Sequence, residues 1–272
     1  MTCMGRLHHL QQTLPLIARQ PGLKCILVDY GCPDGSGDWV ESALPQVQVV
    51  RAPRLSHFNV CKARNLGAAH AGTPWLCFMD ADTLACPDFF GRVAHGLQDR
   101  IVLLADPCPD SLTGLVVCSR EDFTRLGGYD ELFSSWGTED RDLYVRLGRS
   151  GCTLRKFASD GIKSIEHGDA ERMRFSDIED RFVSLRVNGM YFQIKTDLAR
   201  LTEVVELPLP DRQAIYTRVR DLVLTHRHTR VKMDITLPVS REFAQPPDWR
   251  LGRVVSYAFE PFAHTPPAPT HV

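Results

Sequence analysis

Three short apolar runs, each joined to the next through a segment of helical spacing, limit the fold of this chain most narrowly. "KCILVDYG" ends in Asp29 and Gly31, "VQVVRA" follows the helical stretch "GDWVESAL", and "PWLCFMDAD" follows "NVCKARNLGAAHAG", a helix rich in small residues. Short apolar runs between turn signals read as buried strands, and strands alternating with helices predict an α/β fold with a parallel, doubly wound sheet. Such sheets bind ligands at the carboxyl ends of their strands. Asp29, Asp80 and Asp82 all fall there. A first helix is expected over "RLHHLQQTLPLIARQ", with Leu7, Leu10, Leu14 and Ile17 on one face and Pro21 and Gly22 closing it.

With 272 residues and 43% hydrophobic content the chain can bury a full core, as one large domain or one domain with an extension. A formal charge of -1 gives no electrostatic case for nucleic acid as a partner. No stretch approaches the ~20 apolar residues that span a bilayer. The start, "MTCMGRLHHLQQTLPL", lacks the layout of a secretory signal, so the expectation is a soluble, cytoplasmic protein. Nine cysteines, an odd number with no CxxC pair, read as small core residues in a reducing compartment. Beyond Gly151 the alternation weakens. "PDRQAIYTRVRDLVLTH" has helical spacing, "ITLPVS" reads as a strand, and "HTPPAPTHV" as a mobile tail. The expected organisation is a catalytic domain over 1–204 and an extension over 205–272.

The acidic residues carry the chemistry. "FMDADT" sets Asp80 and Asp82 two apart at a strand end, where both can turn toward one crevice. Hard divalent cations take such oxygens and share themselves with substrate phosphates. A solvated turn has the same look. His167 in "SIEHGDAER" comes later, where a returning strand can bring it to the crevice, and imidazole with carboxylate suits manganese better than calcium. In "LGGYDELFSSWGTEDRDLYVRLGRSG" a helix is expected from near Thr138 to Gly148 or Gly151. Its first-turn acids, Glu139 and Asp140, suit the helix dipole with no function at all. Beside them, the Trp136 indole can also floor a sugar ring whose hydroxyls bond the acids.

Over residues 1 to about 172, these segments resemble the nucleotide-sugar glycosyltransferases of the type-A fold, in the family-two group. "VDYGCPDGSGDWV" is similar to that family's first nucleotide-contacting segment, and "CKARNLGAAHAGTPWLCFMDADT" to its helix and DxD metal motif. "GGYDELFSSWGTEDRDLYVRL" is similar to its acceptor-and-base segment and to the carboxyl-terminal part of β-1,4-galactosyltransferases. The resemblance implies a Rossmann-like, mixed but mainly parallel sheet with helices on both faces. It also implies a nucleotide-sugar donor, most often a UDP-sugar, a saccharide-like acceptor, and Mn2+ or Mg2+ as cofactor. Asp29 would bond the base, Arg64 would sit near the nucleotide end, and Asp80 would approach the ribose or metal. Asp82 and His167 would ligate the metal. Trp136, Gly137 and Glu139 would bind the acceptor, with Asp140 as general base. Inverting relatives carry Glu-Asp at this place, so Asp140 argues for inversion. Two features depart from the family. Only "MTCM" precedes the first helix, which reduces the usual first strand to Thr2 and Cys3, and Tyr30 replaces the second acid commonly found after Asp29. The alternatives are a catalytically silent nucleotide- or carbohydrate-binding module and a sugar-phosphate nucleotidyltransferase. The latter would want a glycine-rich loop that "TCMGRLHHL" does not supply.

Overall fold

The computed structural model describes residues 1–53, 56–106, 108, 112–229, 231–239 and 253–261. It divides the chain into two compact units, 1–189 and 190–272. In the first unit, β1 (Thr2–Cys3) leads into α1 (Leu7–Ala18), and the run ending in Asp29 forms β2 (Ile26–Asp29). Then come α2 (Ser36–Ala43), β3 (Gln48–Arg51), α3 (Val60–Ala69) and β4 (Trp75–Phe78). β2, β3, β4 and the three helices fall where the apolar runs and helical spacings of the sequence put them. The shortened start still makes a strand: Thr2 pairs with Val28 and Cys3 with Asp29, in parallel. β2 in turn pairs with β3 in parallel, setting Asp29 opposite Arg51.

The second half of this unit supplies β5 (Thr83–Leu84), α4 (Phe89–Ala94), β6 (Ile101–Asp106), β7 (Val116–Ser119), α5 (Arg120–Arg125) and α6 (Glu139–Arg149). It closes with β8 (Thr153–Ala158), β9 (Lys163–Ser164), α7 (Asp169–Arg172) and the start of α8 (Arg181–Leu201). The strands form two sheets: a wholly parallel one in the order β1-β2-β3, and a mixed one in the order β4-β7-β6-β8. Within the second sheet β7 runs antiparallel to both β4 and β6, while β6 and β8 are parallel. β5 and β9 make a small antiparallel pair that ties the turn after Asp82 to the segment before His167.

Burial explains the placing. α1 turns Leu10 and Leu14 onto Leu27, Val40 and Val47, closing one face of the parallel strands. Val28, Val50 and Ala63 fill the other face, beneath α3. A larger cluster around Phe89, Val102's neighbours Ile101 and Leu103, Leu115, Val117 and Phe157 seats the second sheet. Each fully buried aliphatic side chain stabilises by ~1.5–3 kcal/mol. The strand ends therefore stand on a fixed base.

The second unit holds the rest of α8, α9 (Leu209–Thr225), β10 (Met233–Val239) and β11 (Arg253–Phe259). Ile215, Val219 and Val223 are the buried stripe of α9, and the strand read in "ITLPVS" is β10, paired antiparallel with β11. The segment "HTPPAPTHV" lies outside the described residues. No described helix is long and apolar enough to cross a membrane.

Candidate active site

α3 carries the residue that organises the crevice. Asn59 caps this helix by accepting from the Lys62 N–H at 2.9 Å, and the next turn turns Arg64 inward. Arg64 is 3% exposed and forks between two carboxylates far apart in sequence. Its Nη1 donates to Asp140 Oδ1 at 2.6 Å and its Nη2 to Asp80 Oδ1 at 2.7 Å. The Tyr129 hydroxyl donates to the same Asp140 oxygen at 3.2 Å, and the Arg64 guanidinium lies 5.0 Å from the Tyr129 ring centroid. Burial opposes the charge on Arg64, but the two carboxylates outweigh it and hold the guanidinium as a cation. Gly114 allows the close approach, because a Cβ there would lie 2.4 Å from Asp80 Oδ2 and 2.6 Å from Arg64 Nη2.

Asp82 faces a different set of partners. Its Oδ2 accepts from the Ser164 hydroxyl at 3.0 Å and meets His167 Nε2 at 2.9 Å. The turn carrying both aspartates is pinned from behind, where the Thr13 hydroxyl donates to the Ala81 carbonyl at 2.7 Å, and from the side, where Ile165 N–H donates to the Asp82 carbonyl. The His167 side chain is 5% exposed and its buried Nδ1 has no hydrogen-bond partner among the described residues. One carboxylate oxygen and one imidazole nitrogen at this separation also fit two adjacent ligands of a divalent cation, whose ligand distances are ~2.1 Å. Ser164 would then orient Asp82 from the second layer. Near them, His8, His9 and Glu171 bring three further potential ligand atoms within 4.8 Å of one another. Arg6 already places a guanidinium 3.0 Å from the same Glu171 oxygen, and the His9 and His167 rings lie 5.4 Å apart.

The residues expected to meet an acceptor sit on a strained turn. Ser135, Gly137 and Thr138 all have positive φ, at 61°, 103° and 79°. A Cβ at Gly137 would lie 2.6 Å from Leu185 Cδ2, and Trp136 is fastened at its backbone, its N–H donating to the Ser184 hydroxyl and its carbonyl accepting from it in return. This turn delivers Glu139 and Asp140 to the first turn of α6, both buried. Burial first, and then the charge of Asp140, pushes the Glu139 carboxyl up to about 8. Burial also raises Asp140, to about 6, against the pull of Arg64. Asp142 points elsewhere, its Oδ2 accepting from Arg146 Nε at 2.7 Å. The Trp136 ring is engaged by arginines, with the Arg181 guanidinium 4.2 Å and the Arg172 guanidinium 5.2 Å from its centroid. A sugar stacking on this indole would share it with them.

Asp29 stands apart from these clusters, at the end of β2. It is buried, with Oδ1 accepting from Cys32 N–H at 2.7 Å and Oδ2 from Arg51 at 3.2 Å. The nine residues expected at the site thus fall into four groups: Asp80 with Arg64 and Asp140, Asp82 with His167, the turn from Trp136 to Glu139, and Asp29. Arg64 joins the strand-end Asp80 to the α6 acid Asp140, a link the sequence did not reveal. Tyr129, Ser164 and Gly114 were not singled out by sequence. Tyr129 lies in the quoted "GGYD" and Ser164 three residues before His167, but nothing in the local pattern marks Gly114.

Residues 1–126 match the family described as glycosyl transferase family 2, and residues 104–168 match the N-terminal domain of galactosyltransferase. Over residues 1–168, then, the chain is similar to nucleotide-sugar glycosyltransferases of the family-two type. No curated protein matches the chain. Among solved structures, a mannosyltransferase from Pyrobaculum calidifontis, determined with GDP-Man and Mn2+, is 15% identical, with a TM-score of 0.52 over 80% of this chain and 67% of that one. TarS of S. aureus, determined with UDP, is 14% identical, with a TM-score of 0.50 over 83% of this chain and 89% of that one. At such identities the likeness is one of fold, the type-A glycosyltransferase fold.

Proposed function

We propose that this protein is a metal-dependent, inverting glycosyltransferase that moves a sugar from a UDP-sugar to a hydroxyl of a saccharide-like acceptor. The observation that carries this reading is the Arg64 fork, which joins the strand-end Asp80 to the α6 acid Asp140 within one crevice. Asp140 is the general base, removing the acceptor hydroxyl proton as the oxygen attacks the anomeric carbon. A base titrating near neutrality suits that task, and Asp140 is raised to about 6. Glu139 holds acceptor hydroxyls beside Trp136 and Gly137. Asp29 accepts from the base, and Asp80 lies toward the ribose or the cation. Asp82 and His167 would hold Mn2+ or Mg2+. Such a cation supplies Lewis-acid charge compensation for the departing diphosphate. The catalytic function is assigned to residues 1–204, with 205–272 as an extension.

The test is release of UDP from UDP-sugars with manganese, with and without saccharide acceptors. Acceptor-stimulated release with inverted product configuration is expected. Retained configuration would overturn the single-displacement mechanism. Nucleotide binding without any transfer would favour a silent binding module.

A further inference from the structure

Among the nine cysteines, two meet beside the carboxyl ends of β1 and β2, in a way the glycosyl-transfer chemistry does not use. Cys3 ends β1 and is 1% exposed, while Cys32 lies in the turn after β2 and is partly exposed. Their sulfurs are 3.6 Å apart. The Ser36 hydroxyl accepts from both, at 3.3 Å from Cys3 Sγ and 3.1 Å from Cys32 Sγ. The Gly5 backbone N–H points at Cys32 Sγ from 2.9 Å, and Asp34 Oδ1 lies 2.6 Å away on the other side. No other turn of the described crevice brings two sulfurs into contact with a shared hydroxyl.

We infer that Cys3 and Cys32 form a reversible dithiol–disulfide site, in which Cys32 is the attacking thiol and Cys3 the resolving one. The two sulfurs are unlike. The contact with Cys3 and the Gly5 N–H favour the Cys32 thiolate, bringing it down to about 7 although burial and Asp34 oppose this. The contact with Cys32 and burial push Cys3 strongly upward, which keeps it a thiol. The thiolate is the nucleophile in disulfide exchange, and the partly exposed sulfur is the one an outside reagent can reach. With a low-molecular-weight disulfide as oxidant, Cys32 attacks one sulfur of the reagent and expels a thiolate, leaving a mixed disulfide. Cys3 then attacks Cys32 Sγ, expels the second reagent thiol and gives up its proton. Two protein thiols are oxidised and one small disulfide is reduced to two thiols. The sulfurs must close from contact to the ~2.05 Å of a bond, a movement the turn after β2 has to absorb. That turn also holds Asp29, through the Cys32 N–H. Bridging therefore pulls on the residue assigned to the nucleotide base, a consequence that rests on the donor reading above.

The test is exposure of the reduced protein to oxidised glutathione at pH 7, followed by alkylation and peptide mapping by mass. The expected map shows a linked pair of peptides holding Cys3 and Cys32, lighter by two hydrogens and restored by dithiothreitol. Cys32, whose thiolate is favoured by its neighbours, should take up glutathione at least as fast as the more exposed Cys108. C3S should stop at a glutathione adduct on Cys32, and C32S should leave residue 3 unmodified. If Cys3 and Cys32 in the unmutated protein stay alkylatable while Cys108 is oxidised, or if Cys32 keeps its glutathione without release, the inference is overturned. UDP affinity should fall several-fold on bridging and recover on reduction. The map decides the bridge whether or not the protein binds UDP, so failure of the donor reading is separately visible.

Discussion

At the scale of single residues, Asp140 and Glu139 are neighbours with opposite fates. Asp140 has a cation and a phenol on one oxygen, whereas Glu139 is buried beside a like charge. Asp140→Asn keeps the shape and cannot take a proton, so kcat should fall by ~10²-fold or more with UDP binding nearly intact. Activity of the unmutated enzyme should decline below pH about 6, as Asp140 gains a proton and ceases to be a base. Near-native turnover by the Asn variant, or a flat profile from pH 5 to 8, would remove Asp140 from the role. For Glu139 the argument concerns stability. Its folded-state value, about 8, lies above its unfolded value, so burial penalises the fold once the unfolded chain ionises. Below ~pH 4.3 both states carry the proton and the penalty vanishes. Glu139→Gln should therefore raise Tm at pH 7 by ~2–4 °C, corresponding to about 1 kcal/mol, and give no gain near pH 4. The same variant should raise KM for the acceptor. An equal effect on Tm at both pH values would show that ionisation is not the cause.

At the scale of elements, the turn before α6 is where local structure departs most from what its residues prefer. Thr138 is β-branched yet sits at φ 79°, and its side chain makes no capping bond. The fold holds it there because the Trp136 backbone is fastened to Ser184 and the α6 acid Asp140 to Arg64. Thr138→Gly should relieve the strain and raise stability by about 0.5–1 kcal/mol, less than the full strain because glycine also frees the unfolded chain. Denaturant melts would check it, and a lower midpoint would mean the threonine side chain contributes more than its backbone costs. Most elements here were legible. The stripe Leu10, Leu14 and Ile17 marks α1, the run ending in Asp29 marks β2, and the acids after Thr138 mark the start of α6. What local pattern hides is pairing. Nothing in "IVLLAD" tells that β6 runs parallel to β8 and antiparallel to β7, because register depends on where long connections return. The same reason hides Gly114 and the Arg64 fork. Both are set by chain segments that meet only after folding, 76 residues apart for Arg64 and Asp140.

At the scale of the whole chain, the two family segments divide the crevice between them. Residues 1–126 bring Asp29, Arg64, Asp80 and Asp82, and residues 104–168 bring Trp136, Glu139, Asp140 and His167. The contact between Asp82 and His167 crosses from one to the other, so a cation held there would tighten both. This makes metal and nucleotide binding readable as stability. UDP at 100-fold its dissociation constant adds ~2.7 kcal/mol, or about 5–10 °C in Tm for the unit that binds it. Manganese should enlarge the UDP shift in the unmutated protein, and UDP should outrank GDP and ADP. Asp82→Ala should lose the manganese-dependent part alone, keeping the smaller shift that Asp29 and its neighbours support. His167→Ala should do the same, since removing either ligand opens the same site. If UDP shifts Tm equally with and without manganese in all three proteins, the cation has no place between Asp82 and His167, and their contact is a hydrogen bond that only braces the turn. If GDP shifts Tm more than UDP, the assignment of Asp29 to uracil falls and the metal assignment remains.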